Sequence, residues 1–176
     1  TAGGSNITAT LSGSDVSFSA PENYNGSETF TVSVSDGNGA TDSQTITVTV
    51  NAVNDAPVLA SVSDVAFDED GSSDVIILSS ADVDDGDSAT FSILGGSDIT
   101  ATLNGSDLSF SAPTNFNGSE NFTVSVTDGS LTDSQVITVT VNAVNDAPIA
   151  QAGLFGEGNE DQSISVLLTG SDVDGD

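Results

Sequence analysis

Carboxylates are the side chains of this sequence that could do chemistry. The chain has 27 Asp and Glu residues and no Lys, Arg, His or Cys, which gives a formal charge of −27. Without His, Cys or Lys, a Ser or Thr hydroxyl lacks the base that usually activates it. Nucleic acid and anionic lipid are excluded as partners, because both require basic contacts. Twenty-one of the acids are Asp, a preference typical of loops and metal ligands, so the composition favours cations.

The acids form three clusters, and each cluster occurs twice. Asn-Asp-Ala-Pro at 54–57 recurs at 145–148, and Asp-Glu-Asp at 68–70 is answered by Asn-Glu-Asp at 159–161. The third cluster spans 82–87 and contains Asp82, Asp84, Asp85 and Asp87. It corresponds to residues 172–176, which contain Asp172, Asp174 and Asp176. In an extended segment, residues i and i+2 point to the same side, so Asp82 and Asp84 can present oxygens to one ion.

Calcium is the cation that best fits these clusters. It takes six to eight oxygen ligands from carboxylates, amides, carbonyls and water. The alternative is that the acids only begin turns and keep the protein soluble. Clustered carboxylates without any basic residue repel one another, which favours the metal interpretation. An EF-hand is disfavoured, because Gly86 stands one place early and Ile93 occupies the twelfth position.

A catalytic carboxylate pair is the remaining enzymatic possibility. Glycoside hydrolysis requires two acids across a sugar-binding cleft. The acids of this chain lie in predicted turns, and the sequence has no Trp and a single Tyr to shape such a cleft. We therefore expect that the protein is not an enzyme and has no catalytic residues.

An internal repeat of about 91 residues positions the clusters. Residues 5–37 recur at 97–129 with 26 of 33 positions identical, and residues 41–58 recur at 132–149 with 16 of 18 identical. This length matches one β-sandwich domain rather than a solenoid rung. The position of the repeat boundaries along the sequence predicts three parts. They are the C-terminal half of a repeat over 1–53, a complete repeat over 57–144 and the N-terminal part of a further repeat over 148–176. We expect neighbouring repeats or other copies of the chain to supply the missing halves.

Period-2 alternation indicates strands throughout, and no window shows a helical stripe. The fold class predicted is all-β, with tandem immunoglobulin-like sandwiches. The predicted core of the first copy is Phe30, Val32, Val34, Ile46, Val48 and Val50. The predicted core of the second copy is Phe122, Val124, Val126, Ile137, Val139 and Val141. Turns are predicted at Ser12–Asp15, Asn25-Gly26 and Asp36-Gly37, with counterparts in the second copy. No apolar run approaches the ~18–20 residues of a membrane span.

These motifs together resemble a known family. The Val-Asn-Asp-Ala-Pro joints, the Asn-Tyr-Asn-Gly-Ser-Glu-Thr-Phe run and the Asp-Val-Asp-Gly-Asp loop are similar to the bacterial cadherin-like repeats of giant surface adhesins. The resemblance implies Greek-key sandwiches that bind Ca²⁺ at their joints. For the first joint it implies the ligands Asn54, Asp55, Asp82, Asp84 and Asp128. For the second joint it implies the ligands Glu69, Asn145, Asp146, Asp172 and Asp174.

The predicted function follows from the repeat and the joints. We expect a non-catalytic, calcium-stiffened structural repeat of an extracellular or cell-surface bacterial adhesin, which acts as a rod-like spacer in cell adhesion or biofilm. Near-identical copies with hydroxyl-rich outer strand faces favour a spacer. One alternative is a subunit of an extracellular filament or surface layer. Another is a ligand-binding adhesive module, which predicts a distinctive aromatic patch in one copy, and the sequence shows none. The expected partners are calcium ions and repeats of the same kind.

Overall fold

Alternating β-branched and hydroxyl residues give the chain an all-β structure. The computed structural model describes residues 4–84, 86 and 88–175, and over these ranges the chain forms fifteen strands and no helix. The predicted fold class is therefore confirmed. Within the same ranges, no helix has the length and apolar character needed to cross a membrane.

The chain divides into two compact units. Unit 1 comprises Thr1–Ala56 with Asp82–Asp87, and unit 2 comprises Pro57–Ala81 with Ser88–Asp176. The division at Ala56 falls at the first Asn-Asp-Ala-Pro segment, where Pro57 fixes its own φ and biases Ala56 towards extended backbone.

Unit 1 contains two antiparallel hairpins. In the first, β1 (Thr8–Ser12) pairs with β2 (Asp15–Ser19). Their connection includes Gly13 at φ +62°, a conformation that Gly adopts without steric cost. In the second hairpin, β3 (Gly26–Ser35) pairs with β4 (Thr41–Val50) over ten residues.

Unit 2 contains two larger sheets. The four-stranded sheet has the order β6 (Val65–Asp68), β13 (Thr132–Asn142), β12 (Gly118–Thr127) and β9 (Thr90–Gly95). The three-stranded sheet has the order β10 (Thr100–Asn104), β11 (Asp107–Ser111) and β7 (Ile76–Ile77). Within these sheets β6 runs parallel to β13, and every other pair is antiparallel. Two short ladders complete the described strands of unit 2: β5 (Val58–Leu59) pairs with β8 (Ser80–Ala81), and β14 (Ile149–Ala150) pairs with β15 (Gly170–Ser171).

The core of unit 2 lies between its two sheets and agrees with the sequence prediction. All six predicted residues of the second copy are at most 2% exposed. Phe122 packs edge-on against Phe110 with ring centroids 5.0 Å apart. The N-terminal segment of unit 2 adds Leu59, Val62 and Phe67 to this core.

The core predicted for the first copy is only partly correct. Phe30 is buried and its ring centroid lies 5.0 Å from that of Phe18. Val34 is 67% exposed, so its predicted burial is wrong, and the other four residues are half-buried: Val32, Ile46, Val48 and Val50. The difference has a physical reason. In the described part of unit 1, the β3–β4 ladder has no flanking strands, whereas in unit 2 the equivalent ladder is flanked by β6 and β9.

One turn prediction is also corrected. Asn25-Gly26 does not form a turn, because Gly26 already begins β3. The turn lies just before it, where the Tyr24 N–H donates to the Pro21 carbonyl at 3.3 Å and Asn23 has φ +59°. The second copy repeats this geometry with Asn115 at φ +57°. Asn tolerates the left-handed region better than most residues, which explains its place here. The turns at Ser12–Asp15 and Asp36-Gly37 do connect strands as predicted.

Candidate calcium joints

The first acidic joint lies within unit 1, and hydrogen bonds between its described residues hold it together. Its residues are Asn54, Asp55, Asp82 and Asp84, hereafter the first joint cluster. The Asp55 N–H donates to Oδ2 of Asp84 at 2.7 Å, and the Asp84 N–H donates to Oδ1 of Asp82 at 3.0 Å. Nδ2 of Asn54 donates to the Asp55 carbonyl at 2.8 Å. Asp82 and Asp84 thus lie beside the Asn-Asp segment.

The second joint repeats this arrangement within unit 2. Its residues are Asn145, Asp146, Asp172 and Asp174 together with Glu69, hereafter the second joint cluster. The Asp146 N–H donates to Oδ2 of Asp174 at 2.7 Å, and the Asp174 N–H donates to Oδ1 of Asp172 at 2.9 Å. Nδ2 of Asn145 donates to the Asp146 carbonyl at 2.7 Å. The two joints therefore share one hydrogen-bond pattern, although each brings together segments far apart in the sequence.

Glu69 is an unusually buried acid at the second joint. It is 6% exposed, and its Oε1 accepts the Val144 N–H at 2.6 Å. Its own N–H donates to the Asn142 carbonyl at 3.0 Å, which continues the register of β6 on β13. Asp70 follows at φ +62° and Asp161, its counterpart, has φ +61°. The Asp-Glu-Asp segment thus begins where β6 ends. Asp68 accepts a hydrogen bond from Asn142 and Asp70 accepts one from the Asn115 N–H, so Glu69 is the acid of this segment that binds the backbone next to the second joint.

Asp146 is the most perturbed carboxylate of the second joint. Its Oδ2 is buried and has no hydrogen-bond partner among the described residues. Burial raises the pKa of Asp146, and the negative charges of four neighbours raise it further: Asp174, Asp70, Glu69 and Asp172. An oxygen without a donor, surrounded by like charges, is the electrostatic environment that a cation relieves. Asp70 was not among the predicted ligands, although the Asp-Glu-Asp cluster was recognised in the sequence.

The remaining predicted ligand, Asp128, lies in the β12–β13 loop of unit 2. Its Oδ1 accepts the N–H groups of Ser130 at 2.6 Å and Leu131 at 2.7 Å, which closes that loop. Asp36 makes the equivalent bonds to Asn38 and Ala40 in unit 1. Asp85, Asp87 and Asp176, which the third cluster also includes, lie outside the described residues. Over the described ranges, no three acids are grouped closely enough to form a ready-made metal site.

Two acids outside the joints make a repeated anchor that the sequence analysis missed. Glu28 accepts the N–H groups of Ser5, Asn6 and Ile7 at 2.9–3.1 Å. Glu120 accepts those of Ser97, Asp98 and Ile99 at 3.0–3.1 Å. The signal was present, because each Glu stands two places before a core Phe and therefore on the apolar face of its strand.

These hydrogen bonds shift the ionisation of both anchors. The bond from the Ile7 N–H is the largest cause that lowers the pKa of Glu28 to about 2, and the Ser97 hydroxyl is the largest cause for Glu120, also to about 2. Each carboxylate satisfies a run of backbone donors that would otherwise lack partners. The anchors therefore have a structural role.

The chain was compared with models of protein families and with curated proteins. The model of the bacterial Ig domain (Big_9) matches residues 1–49 and 54–140. No curated protein matches the chain.

Solved structures similar to the chain include the endo-fucoidan hydrolase MfFcnA4 from glycoside hydrolase family 107, with 20% identity over 87% of this chain and a TM-score of 0.40. A variant of that enzyme matches with 21% identity over 82% of this chain and a TM-score of 0.39. The chain spans 23% of the length of either enzyme. At these TM-scores, the likeness carries no argument about activity.

Proposed function

The chain belongs to the bacterial Ig domain family, and from that premise we propose that it is a non-catalytic, calcium-stiffened structural repeat of an extracellular bacterial adhesin. In this proposal the repeats act as a rod-like spacer in cell adhesion or biofilm. The observation that carries the proposal is the recurrence of one hydrogen-bond pattern at both acidic joints. A spacer requires the same geometry at every joint, whereas a ligand-binding module requires one copy to differ.

The chain's own residues restrain each joint before any ion is considered. Asp84 and Asp174 accept the N–H of the Asp in the Asn-Asp segment, so each loop carboxylate is tied to the backbone of its joint. The Pro that follows limits the backbone torsions available to the joint. Motion at the joint must therefore break a charge-assisted hydrogen bond, which is about twice as strong as a neutral one.

Calcium fits the donor chemistry of both joints. All candidate ligands are oxygens of Asp, Glu or Asn, which are the ligands that Ca²⁺ prefers. At the second joint, Oδ2 of Asp146 has no hydrogen-bond partner among the described residues, and neighbouring carboxylates raise the pKa of this group. Both observations support a cation at this position. The residues that would hold the ion there are Glu69, Asn145, Asp146, Asp172 and Asp174. When bound, the ion would neutralise these carboxylates and link the loop to the Asn-Asp segment.

Calcium binding is tested on the full chain by calorimetric titration and thermal melting. Extracellular calcium modules bind with dissociation constants of about 10⁻⁴–10⁻³ M. At ten times that concentration, mass action stabilises the folded state by about 1.4 kcal/mol. The melting temperature should therefore rise by about 5 °C or more. Magnesium should substitute poorly, because it requires tighter octahedral geometry.

A charge-matched pair of variants separates site binding from general screening. Asp172→Asn with Asp174→Asn should abolish binding at the second joint and its share of the stabilisation. Asp15→Asn with Asp107→Asn removes the same charge from the hairpin strands β2 and β11 and should leave binding unchanged. Equal losses in both double variants, or melting that is independent of calcium, would contradict the calcium proposal. Small-angle scattering with calcium and with chelator then measures joint stiffness.

A further inference from the structure

Three Asn-Gly-Ser tripeptides share one sequence but lie in different backbone settings. They are residues 25–27, 104–106 and 117–119. The side-chain amide of an Asn that precedes Gly is open to attack by the Gly backbone nitrogen, because Gly has no side chain to hinder the approach. Asn25, Asn104 and Asn117 are all exposed, and in the described part of the chain their side chains make no hydrogen bond. A difference in their reactivity must therefore come from the backbone around each Gly.

Two of the three tripeptides are held at the start of a long strand. Gly118 is the first residue of β12 and pairs with Val141, and a Cβ at Gly118 would lie 3.3 Å from the ring of Phe116. Gly26 begins β3 in the same way, beside the ring of Tyr24. The peptide unit must rotate before the Gly nitrogen can reach the preceding amide, and this rotation breaks the start of the ladder. Strand and ring together thus protect the Asn before each of these two glycines.

The third tripeptide lies at the turn of the β10–β11 hairpin, where the backbone is open. Asn104 ends β10, and Gly105 and Ser106 make the two-residue turn to Asp107. A Cβ at Gly105 would meet no atom within 4 Å, and a cavity of about 550 Å³ borders the turn. The Ser106 carbonyl accepts the Leu78 N–H at 2.8 Å, a bond that involves neither reacting atom. Rotation at Gly105 therefore disturbs only the last pair of the ladder, and the ends of ladders open at little cost.

We propose that Asn104 is a site of self-modification, at which the chain converts this amide to an acid through a cyclic succinimide. The Gly105 nitrogen attacks Cγ of Asn104 and loses its proton, while the side-chain nitrogen takes up a proton and leaves as ammonia. Water then adds to either ring carbonyl and opens the ring. The product is an aspartyl or an isoaspartyl residue, and the reaction consumes only water. This inference does not depend on calcium, because the turn contains no joint acid.

Conversion acts on the hairpin in two ways. The new carboxylate lies directly opposite Asp107 in the register, and like charges in that position destabilise a strand pair. In the isoaspartyl product the main chain gains the Cβ atom of residue 104, and the register of a hairpin depends on the length of its turn. Unit 1 lacks this reaction at the equivalent turn, because Ser12 stands at the position of Asn104.

Peptide mapping of the full chain during incubation at mildly alkaline pH tests the proposal. Pepsin is the suitable protease, because the chain has no Lys or Arg for trypsin. The change in mass from amide to acid, and the uptake of heavy oxygen from labelled water, identify each converted site. We expect Asn104 to convert about tenfold or more faster than Asn25 or Asn117, a ratio that corresponds to about 1.4 kcal/mol of ladder opening. In the urea-unfolded chain the three rates should become similar, because the three tripeptides are identical.

Asn104→Ser is the control variant, because it places the residue of the unit 1 turn at this position. It should abolish conversion at the turn and leave the rate at Asn117 unchanged. After incubation, the parent should exchange backbone hydrogens faster in β10 and β11, and the variant should not. Equal rates at Asn104 and Asn117 in the folded chain, or a ratio that persists in urea, would overturn the proposal. Faster exchange in the incubated variant as well would also overturn it, since the change would then arise elsewhere.

Discussion

Removing the aromatic ring of Phe122 should cost unit 2 much of its stability. The ring is 1% exposed, lies edge-on to Phe110 at 5.0 Å and packs over the Gly96 backbone. Truncation of a buried Phe to Ala typically costs about 3–5 kcal/mol, through lost burial and the cavity left behind. We expect Phe122→Ala to lower the free energy of unfolding by about 4 kcal/mol. With a slope of about 1.5 kcal/mol per M, the urea midpoint should fall by about 2–3 M.

Phe30 provides the matched comparison, because it occupies the same position in unit 1. It is equally buried and also lies 5.0 Å from a partner ring, Phe18. Its strand neighbours Val32 and Ile46 are only half-buried, so this site can collapse or admit water more easily. The cost of a cavity falls when its surroundings can relax, and Phe30→Ala should therefore cost about 1–3 kcal/mol.

Hydrogen exchange during urea unfolding is the appropriate assay for both variants. The sequence has no Trp, and its single Tyr, Tyr24, lies in unit 1, so fluorescence cannot report on unit 2. Exchange resolves strands β12 and β13 from strands β3 and β4 in one experiment. Equal costs for the two variants would refute the argument that flanking strands decide the burial of the ladder. A midpoint for Phe122→Ala within error of the parent would refute the core assignment itself.

The remaining predictions concern the Glu anchors and the glycines beneath the core. Glu120 has a pKa of about 2 instead of the usual 4.5, so its stabilisation is present above about pH 4.5 and is lost as the pH falls towards 2. Glu120→Gln should destabilise unit 2 at neutral pH, and the stability of the variant should depend less on pH below about 4.5. Hydrogen exchange at several pH values measures this dependence. The same pH dependence in the variant and the parent would contradict the anchor role of Glu120. Gly96→Ala places a Cβ 2.5 Å from the Ile99 carbonyl oxygen and 2.6 Å from the Phe122 ring at φ +79°, and should cost about 2–5 kcal/mol. Gly105→Ala is the control, because its Cβ at φ +64° meets no atom within 4 Å. This variant should cost only the backbone strain of about 1–2 kcal/mol. Similar melting temperatures of the two Ala variants would exclude a steric role for Gly96.

The sequence by itself determined the fold class and the core of unit 2. Apolar and hydroxyl side chains alternate in stretches such as Phe122–Val126, so only one face of the strand is suited to burial. A shift of the strand register by one residue would expose every apolar side chain. The resemblance of the Asn-Asp-Ala-Pro segments and the spaced acids to a known family implied that Asp84 and Asp174 lie near these segments, where the structure has them accept the Asp55 and Asp146 N–H groups. It did not include Asp70, which lies near Asp146.

Only the tertiary structure decided the matters that depend on strand neighbours. Val34 and Val126 belong to near-identical stretches, yet Val34 is 67% exposed and Val126 is fully buried. The difference arises because burial depends on the strands that flank a ladder, which a repeat pattern does not specify. The same reason applies to Glu28 and Glu120, whose acceptor role depends on a turn more than twenty residues earlier. It applies equally to Asp146, because the charges that raise its pKa come from two separate segments, 69–70 and 172–174, that only folding brings together.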